Sequence, residues 1–492
     1  MHLNKLKDFR LEKLDDLTIA ELQKEMEDGV LTSEELVLMF LENISERDQD
    51  INSIIEVNPE ALNIAQALDI ERKISGPRSA LHGIPILLKD NIGTADKMHT
   101  SAGSYALKDF YAMEDAGVAA KLRKAGAVLL GKTHMTEWAD IMSDEMPDNY
   151  CSRSGHIKHP FGDYDIGGSS SGSAAAIALS LAQASIGTET SGSIINPADE
   201  NSLVGIKPTL GLTTRSGIIP LAPSQDVAGP IAKNVADAAL VLSAIVGWDT
   251  ADEISVGAKF FESYDWLAHL KKDGLQGVRL AVPRHLFEEQ ITANELELFN
   301  EALDVIRSLG AELIDPVDLG VAEEEAGDEV QFFEFKPSIN EYLGKSHPAN
   351  PIRSLDDLIA FHNRHPDQML RYGQDKLEKS NATSGRLNEP EYVEALKRKR
   401  LLAGERAIES TLDKLGASAI VLPKDFGGGI GATAGMPLIT VPYRFEDENG
   451  PFGITFMGRA FSDPTLIEFA YAFEQATNGR VKPPFGSKDG QE

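Results

Sequence analysis

Apolar positions change their period along the chain. Leu36, Met39, Phe40 and Ile44 recur three or four residues apart, the spacing of one helix face. Thr18-Ile-Ala-Glu21 and Thr32-Ser-Glu-Glu35 are both capping boxes, in which a hydroxyl and a carboxylate three residues on satisfy free backbone N–H groups. Gly29 stands where the first of these helices stops. Residues 1–75 are therefore expected to be helical. From residue 81 short apolar runs alternate with Ala-rich stretches and Gly-rich loops. The runs are Ile84–Leu88, Ala127–Leu130, Val278–Val282, Ile420–Leu422 and Leu438–Val441. Several show no polar alternation, as expected of strands covered on both faces. Leu355 to Leu415 returns to a helical, charged pattern. The pattern predicts one α/β domain over residues 1–492, with helical additions at 1–75 and about 320–415.

Composition narrows the class. Of the 492 residues 42% are hydrophobic, enough for a large core. No run of eighteen apolar residues occurs, so no membrane span is expected. The opening Met-His-Leu-Asn-Lys-Leu-Lys-Asp lacks an apolar h-region, so no secretory signal is expected. Cys151 is the only cysteine, which rules out an internal disulfide and a thiolate metal cluster and fits a reducing, cytoplasmic setting. The 47 basic and 77 acidic residues give a net charge of −30. Such a surface repels phosphate, so no nucleic-acid partner is expected. The carboxylates are scattered rather than blocked, which reads as solubility or a salty habitat.

Three segments are poor for packing and good for chemistry. In Leu81-His-Gly-Ile-Pro-Ile-Leu-Leu-Lys-Asp-Asn-Ile92 a lysine closes an apolar strand; alone, this pattern fits a Lys89 that leaves the strand and snorkels to water better than a buried Lys89 that sheds its proton and serves as a base. Gly167-Gly-Ser-Ser-Ser-Gly-Ser-Ala-Ala-Ala176 places serine hydroxyls beside permissive glycines, and the Ala-rich continuation to Ala184 is expected to be a buried helix. In Ile186-Gly-Thr-Glu-Thr-Ser-Gly-Ser-Ile-Ile195 an apolar approach ends in Thr190-Ser-Gly-Ser193. Consecutive N–H groups in such a turn make an anion-binding hollow, with Ser193 as a nucleophile at its lip.

Together these segments resemble the amidase-signature family, nearest in look to its bacterial peptide-amidase and aryl-acylamidase members. The family has a lysine after a Gly-Ile-Pro strand, a Gly-Gly-Ser-Ser serine in a cis peptide bond, and a nucleophilic serine in a Gly-rich loop. Here these positions are Lys89, Ser169 and Ser193. Val204-Gly-Ile-Lys-Pro-Thr-Leu-Gly-Leu212, Ser216-Gly-Ile-Ile-Pro220, Gln225-Asp-Val-Ala-Gly-Pro230, Gly435-Met-Pro-Leu-Ile-Thr-Val-Pro442, Gly453-Ile-Thr-Phe456 and Ala470-Tyr-Ala-Phe-Glu-Gln-Ala476 also look like family segments. The resemblance is weakest at about 320–415. It implies an α/β/α sandwich around a large mixed, twisted sheet, with a signature core at about 76–250. It also implies cleavage of a carboxamide C–N bond through a seryl acyl-enzyme. Lys89, Ser169 and Ser193 would form the triad, with an oxyanion hole from the N–H groups of Thr190, Ser191, Gly192 and Ser193. Ser170 and Thr188 would support it, and neither metal nor organic cofactor would be needed.

Three positions depart from the family pattern, and the last of them bears on substrate. Glu189 stands where aspartate is usual, and Ser191 where glycine is usual. Where an arginine often follows the Ser-Ile pair, this chain has Ile195 and then Asn196, which points away from a small anionic substrate and toward a neutral, medium-sized amide such as a peptide C-terminal amide or an aryl acylamide. An A-type amidotransferase component, making ammonia for a partner, is the reading from another class.

Other motifs compete. Gly126-Ala-Val-Leu-Leu-Gly-Lys-Thr133 matches the phosphate-loop pattern, but its inner residues are a strand rather than a loop of exposed N–H groups. Gly168-Ser-Ser-Ser-Gly172 matches the nucleophile elbow of Ser-His-Asp esterases, with Ser170 as nucleophile, yet a polar turn, not a strand, precedes it. His156/His159 and His362/His365 are each two metal ligands without a third.

Overall fold

The structure, a computed structural model, describes residues 3–321 and 329–484. Residues 322–328, part of the expected insert at 320–415, lie outside the described residues.

The strands are β1 (Ile54–Val57), β2 (Pro85–Lys89), β3 (Val128–Thr133), β4 (Tyr150–Cys151), β5 (Gly155–His156), β6 (Ala184–Glu189), β7 (Val204–Lys207), β8 (Val227–Ala232), β9 (Arg279–Ala281), β10 (Glu312–Ile314), β11 (Ala419–Pro423), β12 (Leu438–Glu446) and β13 (Gly450–Met457). Strands β4 and β5 form a small hairpin, and the other eleven form one sheet in the order β1-β3-β2-β6-β8-β7-β12-β13-β11-β9-β10. The sheet is mixed: β3, β2 and β6 are parallel neighbours, β6 through β11 alternate antiparallel, and β11, β9 and β10 are parallel again. This is the α/β architecture that the sequence predicts.

Each of the five apolar runs read from the sequence falls on a strand. Both β2 and β6 are buried along their whole length, which is why neither shows polar alternation. Their register sets Leu88 against Ile186, so the C-terminal ends of the two strands, Lys89 and Thr188–Glu189, emerge side by side. The helix Ser171–Ala178 packs on β6, β8 and β2, with all eight of its residues buried.

Two expectations need correction. Residues 1–75 do hold helices Leu3–Glu12, Ile19–Glu27, Ser33–Arg47 and Ala61–Ser75, with both capping boxes formed. They also hold β1, an edge strand antiparallel to β3. Ile-Ile-Glu-Val is a short β-favouring run that its neighbour strand pulls into the sheet. The Ala-rich helix stops at Ala178, not Ala184: Ser180 turns left-handed at φ 53°, and Ala184 already begins β6.

Between residues 329 and 415 the structure holds the helices Glu329–Gly344, Leu355–Arg364, Pro366–Met369, Asp375–Asn381 and Pro390–Lys397, followed by a π-helical stretch Arg398–Glu409 and the helix Ser410–Leu415. This region shares an apolar core with the rest of the domain, in which its Phe335, Ile339, Leu358 and Leu377 pack with Trp138, Ile141 and Leu221. The insert thereby closes over one end of the sheet, where β2 and β6 finish.

Candidate active site

Lys89 closes β2 and is fully buried. Its Nζ donates to Ser169 Oγ at 2.8 Å and to the Thr188 carbonyl at 3.0 Å. Both partners are neutral. Burial brings the Lys89 ammonium down from its ordinary value to about 7, against the upward pull of the more distant Glu189 and Asp226 carboxylates. A buried lysine with only neutral partners is the arrangement that lets an amine act as a base near neutral pH.

Ser169 sits on the turn before the helix Ser171–Ala178. The Gly168–Ser169 peptide bond is cis, and Gly167 is left-handed at φ 66°. The turn is fixed from both sides: Gly168 N donates to Asn196 Oδ1 at 3.0 Å, and the Ser169 carbonyl accepts from Thr136 N at 3.1 Å. Glycine is required at 168 because a Cβ there would lie 2.7 Å from Thr136 Oγ1 and 2.8 Å from Asp148 Cγ.

Ser193 is 8% exposed and ends the loop that leaves β6. The shape of that loop comes from Glu189, whose Oε2 accepts the N–H groups of Ile194 (2.7 Å) and Ile195 (3.0 Å). Its carboxylate also takes a hydrogen bond from the Gly192 backbone. The longer side chain in place of aspartate thus caps the start of the helix Ile195–Glu200. The left-handed residue of the loop is Gly192 (φ 82°), while Ser191 has no positive φ, so a serine is tolerated there. Of the four expected oxyanion N–H groups, that of Gly192 is turned to Glu189. Thr190 is held by Asp226, with its Oγ1 donating to Oδ1 at 2.7 Å, and by Gln225, which donates to its carbonyl at 3.2 Å.

Ser170 and Thr188 lie beneath this array. Ser170 Oγ donates to the Thr188 carbonyl at 3.2 Å, and Ser170 N to the Ser193 carbonyl at 3.3 Å. Ser170 is fully buried, and no described hydrogen bond joins it to a histidine, so an elbow-type esterase site is not assembled around it. The phosphate-loop match runs from the helix cap Gly126 into β3, where Lys132 is buried and donates to the Ile92 carbonyl and to Thr100 Oγ1. His159 contacts the Glu200 carbonyl at 2.8 Å and His362 contacts Gln374 at 3.0 Å. Among the described residues, no group of three or more His, Cys, Asp or Glu side chains is placed to hold a metal, and no helix is long and apolar enough to cross a membrane.

Two cavities open on the site. One of about 130 Å³ is lined by Ser191, Ser193, Thr190, Phe332 and Lys376. The other, about 500 Å³, runs from Asn91, Thr188 and Thr190 out past Phe110, Ile219 and Tyr342. Ala139, Thr190 and Leu221 line both, so the two form one cleft that spans the expected nucleophile and a larger, mostly apolar chamber. Its outer walls come from the insert, through Phe332, Tyr342 and Lys376.

Sequence reasoning missed several of these residues. Asn91 and Asp226 stood inside family-like segments, but nothing in their local pattern assigned them to the cavity. Lys376 and Tyr342 lie in the insert, where the resemblance is weakest. Ile195 and Asn196, by contrast, carry less than the sequence suggests. Ile195 is buried in the core, and Asn196 bridges Gly168 N and Asp425, so neither lines either cavity.

Comparison with known proteins agrees with this geometry. The sequence profile of the amidase family matches residues 35–423. A probable amidase of Arabidopsis thaliana is 38% identical over 96% of this chain and 92% of its own length. The crystal structure of the native peptide amidase from Stenotrophomonas maltophilia is 40% identical and covers 96% of this chain and 99% of its own, with a TM-score of 0.90. More distantly, the A-type component of the glutamyl-tRNA(Gln) amidotransferase of Thermoanaerobacter pseudethanolicus is 30% identical over 96% of this chain and 98% of its length. With its mixed eleven-stranded sheet, its buried lysine–serine contact and these relatives, the chain belongs to the amidase-signature family of amide-hydrolysing enzymes.

Proposed function

We propose that this enzyme hydrolyses the carboxamide of a neutral, medium-sized substrate, a peptide C-terminal amide before an aryl acylamide, through an acyl-enzyme on Ser193. The observation that carries the reading is the 2.8 Å contact between Ser169 and a fully buried Lys89. Neutral Lys89 takes the proton of Ser169 as Ser169 takes that of Ser193, and Ser193 Oγ attacks the amide carbonyl carbon. The N–H groups of Thr190, Ser191 and Ser193 receive the oxyanion, while Glu189 keeps Gly192 in place to shape the turn. Ser169 then passes a proton to the nitrogen as the C–N bond breaks. Water enters, gives its proton along the same relay, and releases the acid and free Ser193.

Size and the apolar part of the lining support a medium-sized substrate, although Arg215, Asp252, Glu341 and Lys345 also line the chamber. A chamber of about 500 Å³ holds a group the size of one or two residues, and its walls include Phe110, Ile218, Ile219 and Leu221. A panel of C-terminal peptide amides, aryl acylamides and fatty amides, scored by kcat/KM, tests the reading: peptide amides should lead, and no turnover on any of the three would refute it. The likeness to an A-type amidotransferase component favours a second reading, in which the same array frees ammonia for a partner. A stable heteromeric partner in a pull-down would establish that one. The lone Cys151 and the charge of −30 support a cytoplasmic enzyme without a nucleic-acid partner.

A further inference from the structure

Two hydrogen bonds tie the segment of Ser169 to that of Ser193, one on either side of Ser169. Gly168 N donates to Asn196 Oδ1 at 3.0 Å, and Ser170 N donates to the Ser193 carbonyl at 3.3 Å. The shorter of the two is the one that a side chain makes. Asn196 belongs to both halves of the site. Its backbone N–H donates to the Gly192 carbonyl at 2.8 Å, which closes the loop that carries Ser193, while its side chain reaches across to the turn that carries Ser169. The fit is close: a Cβ at Gly167 would lie 2.5 Å from Asn196 Oδ1.

The carboxamide is itself oriented. With its oxygen turned to Gly168, its N–H group donates to the Asp425 carboxylate, just beyond β11. The neighbouring Lys424 pairs with Glu200 at 2.6 Å. The helix Ile195–Glu200 is thus fastened near both ends to consecutive residues of one chain segment, and it packs on β7, β12 and β13. Asn196 lines neither cavity, so its effect on substrate passes through the groups it holds. A proton relay between two hydroxyls needs their spacing fixed, and a displacement of about 1 Å costs about a hundredfold in rate. We infer that Asn196 is a positioning residue, which sets Ser169 against Ser193 by fastening Gly168 to the loop of the proposed nucleophile. This rests on the proposed relay from Lys89 through Ser169 to Ser193.

The test uses N-acetylphenylalaninamide and the p-nitrophenyl ester of N-acetylphenylalanine, which share one acyl group and differ in whether the leaving group needs a proton from Ser169. Asn196→Ala leaves Gly168 N without its acceptor. On the amide it should lower kcat about ten- to a hundredfold, with KM within about twofold of wild type. On the ester the loss in kcat/KM should be about fivefold smaller or less, since p-nitrophenolate departs unprotonated. A variant with merely fewer folded molecules loses both alike. Asn196→Asp returns an acceptor to Gly168 but sets a second carboxylate against Asp425, and should be about as slow as the alanine variant. Asn196→Asp combined with Asp425→Asn exchanges donor and acceptor between the two positions, and should recover kcat to within about threefold of wild type. Should Asn196→Ala not fold, Asn196→Asp with and without Asp425→Asn carries the same comparison. Unchanged kcat in Asn196→Ala, equal losses on amide and ester, or no recovery in the paired exchange overturns the inference. If wild type releases no ammonia from the amide, the proposed hydrolysis falls, and the rate at which a fluorophosphonate adds to Ser193 decides the inference instead. Slowing of about tenfold by Asn196→Ala, with recovery in the exchange, supports it. No slowing, or no addition even to wild type, overturns it.

Discussion

Glu189 reaches forward to Ile194 and holds its backbone N–H at 2.7 Å, drawing the intervening residues into a closed bow with Ser193 at its end. The same carboxylate lies close enough to Lys89 to pull its pKa upward. One side chain therefore shapes the loop of the proposed nucleophile and tunes the proposed base.

These two roles separate by mutation. Glu189→Ala leaves the buried N–H groups of Ile194 and Ile195 without an acceptor, and should cost about 1–3 kcal/mol of stability for each, read as a lowered Tm, together with a fall in kcat. Glu189→Gln keeps an acceptor oxygen and removes the charge. With that upward pull gone, Lys89 should titrate lower, and the acid limb of the rate profile should move to lower pH with most of the stability kept. An unmoved limb in a folded, active Glu189→Gln enzyme would show that the two residues are not electrostatically linked.

The pH dependence itself follows from burial. A base that titrates at about 7 is charged below that pH, so kcat/KM on an amide should fall as pH drops through about 7. Lys89→Ala should lose about a hundred- to ten-thousandfold in rate and the limb with it. Lys89→Arg should be equally inactive, because a guanidinium keeps its proton. An alanine variant with most of its activity and the same limb would reduce Lys89 to the end of a strand.

Covalent labelling identifies the nucleophile. A fluorophosphonate should add to the peptide that contains Ser193, and Ser193→Ala should abolish both labelling and ammonia release while the thermal melt stays within a few degrees of wild type. Adduct on the peptide of Ser170 would instead favour an esterase-type elbow, against the full burial of that residue.

Gly168→Ala tests the turn that carries Ser169. The added Cβ would meet Thr136 Oγ1 at 2.7 Å and Asp148 at 2.8 Å, neither of them the tip of a long flexible chain. The variant should lose about 1–3 kcal/mol and most of its activity, checked by Tm and kcat/KM. Near-normal activity would show that the turn can shift without disturbing the relay.

Much of this was legible in the sequence, and the exceptions have physical causes. Strands buried on both faces announced themselves as unbroken apolar runs, and the capping boxes marked helix starts, because both signals are local. The lysine and serines stood out because polar residues against apolar or glycine-rich neighbours have few structural uses. Strand β1 stayed hidden because four residues at an edge carry too little pattern against a helical background. The roles of Asn91, Asp226 and Lys376 depend on which segments fold together, which no local period records. Ile195 and Asn196 misled for the converse reason: two and three residues after Ser193 in sequence, they turn into the core and toward Asp425.

The contact between Lys89 and Ser169 spans 80 residues of chain, and that between Lys89 and Thr188 spans 99. No hairpin or single helix contains the pieces of the site, since each partner rides on a separate element and meets the others only when β2 and β6 have paired. Such long closures are made late, once the entropy of the intervening chain has been surrendered. Regain of activity during refolding should therefore lag the return of helical circular dichroism, and no short excised segment should turn over substrate. Catalysis in this chain is a readout of completed tertiary assembly, and a loosened sheet would silence the enzyme well before it unfolded.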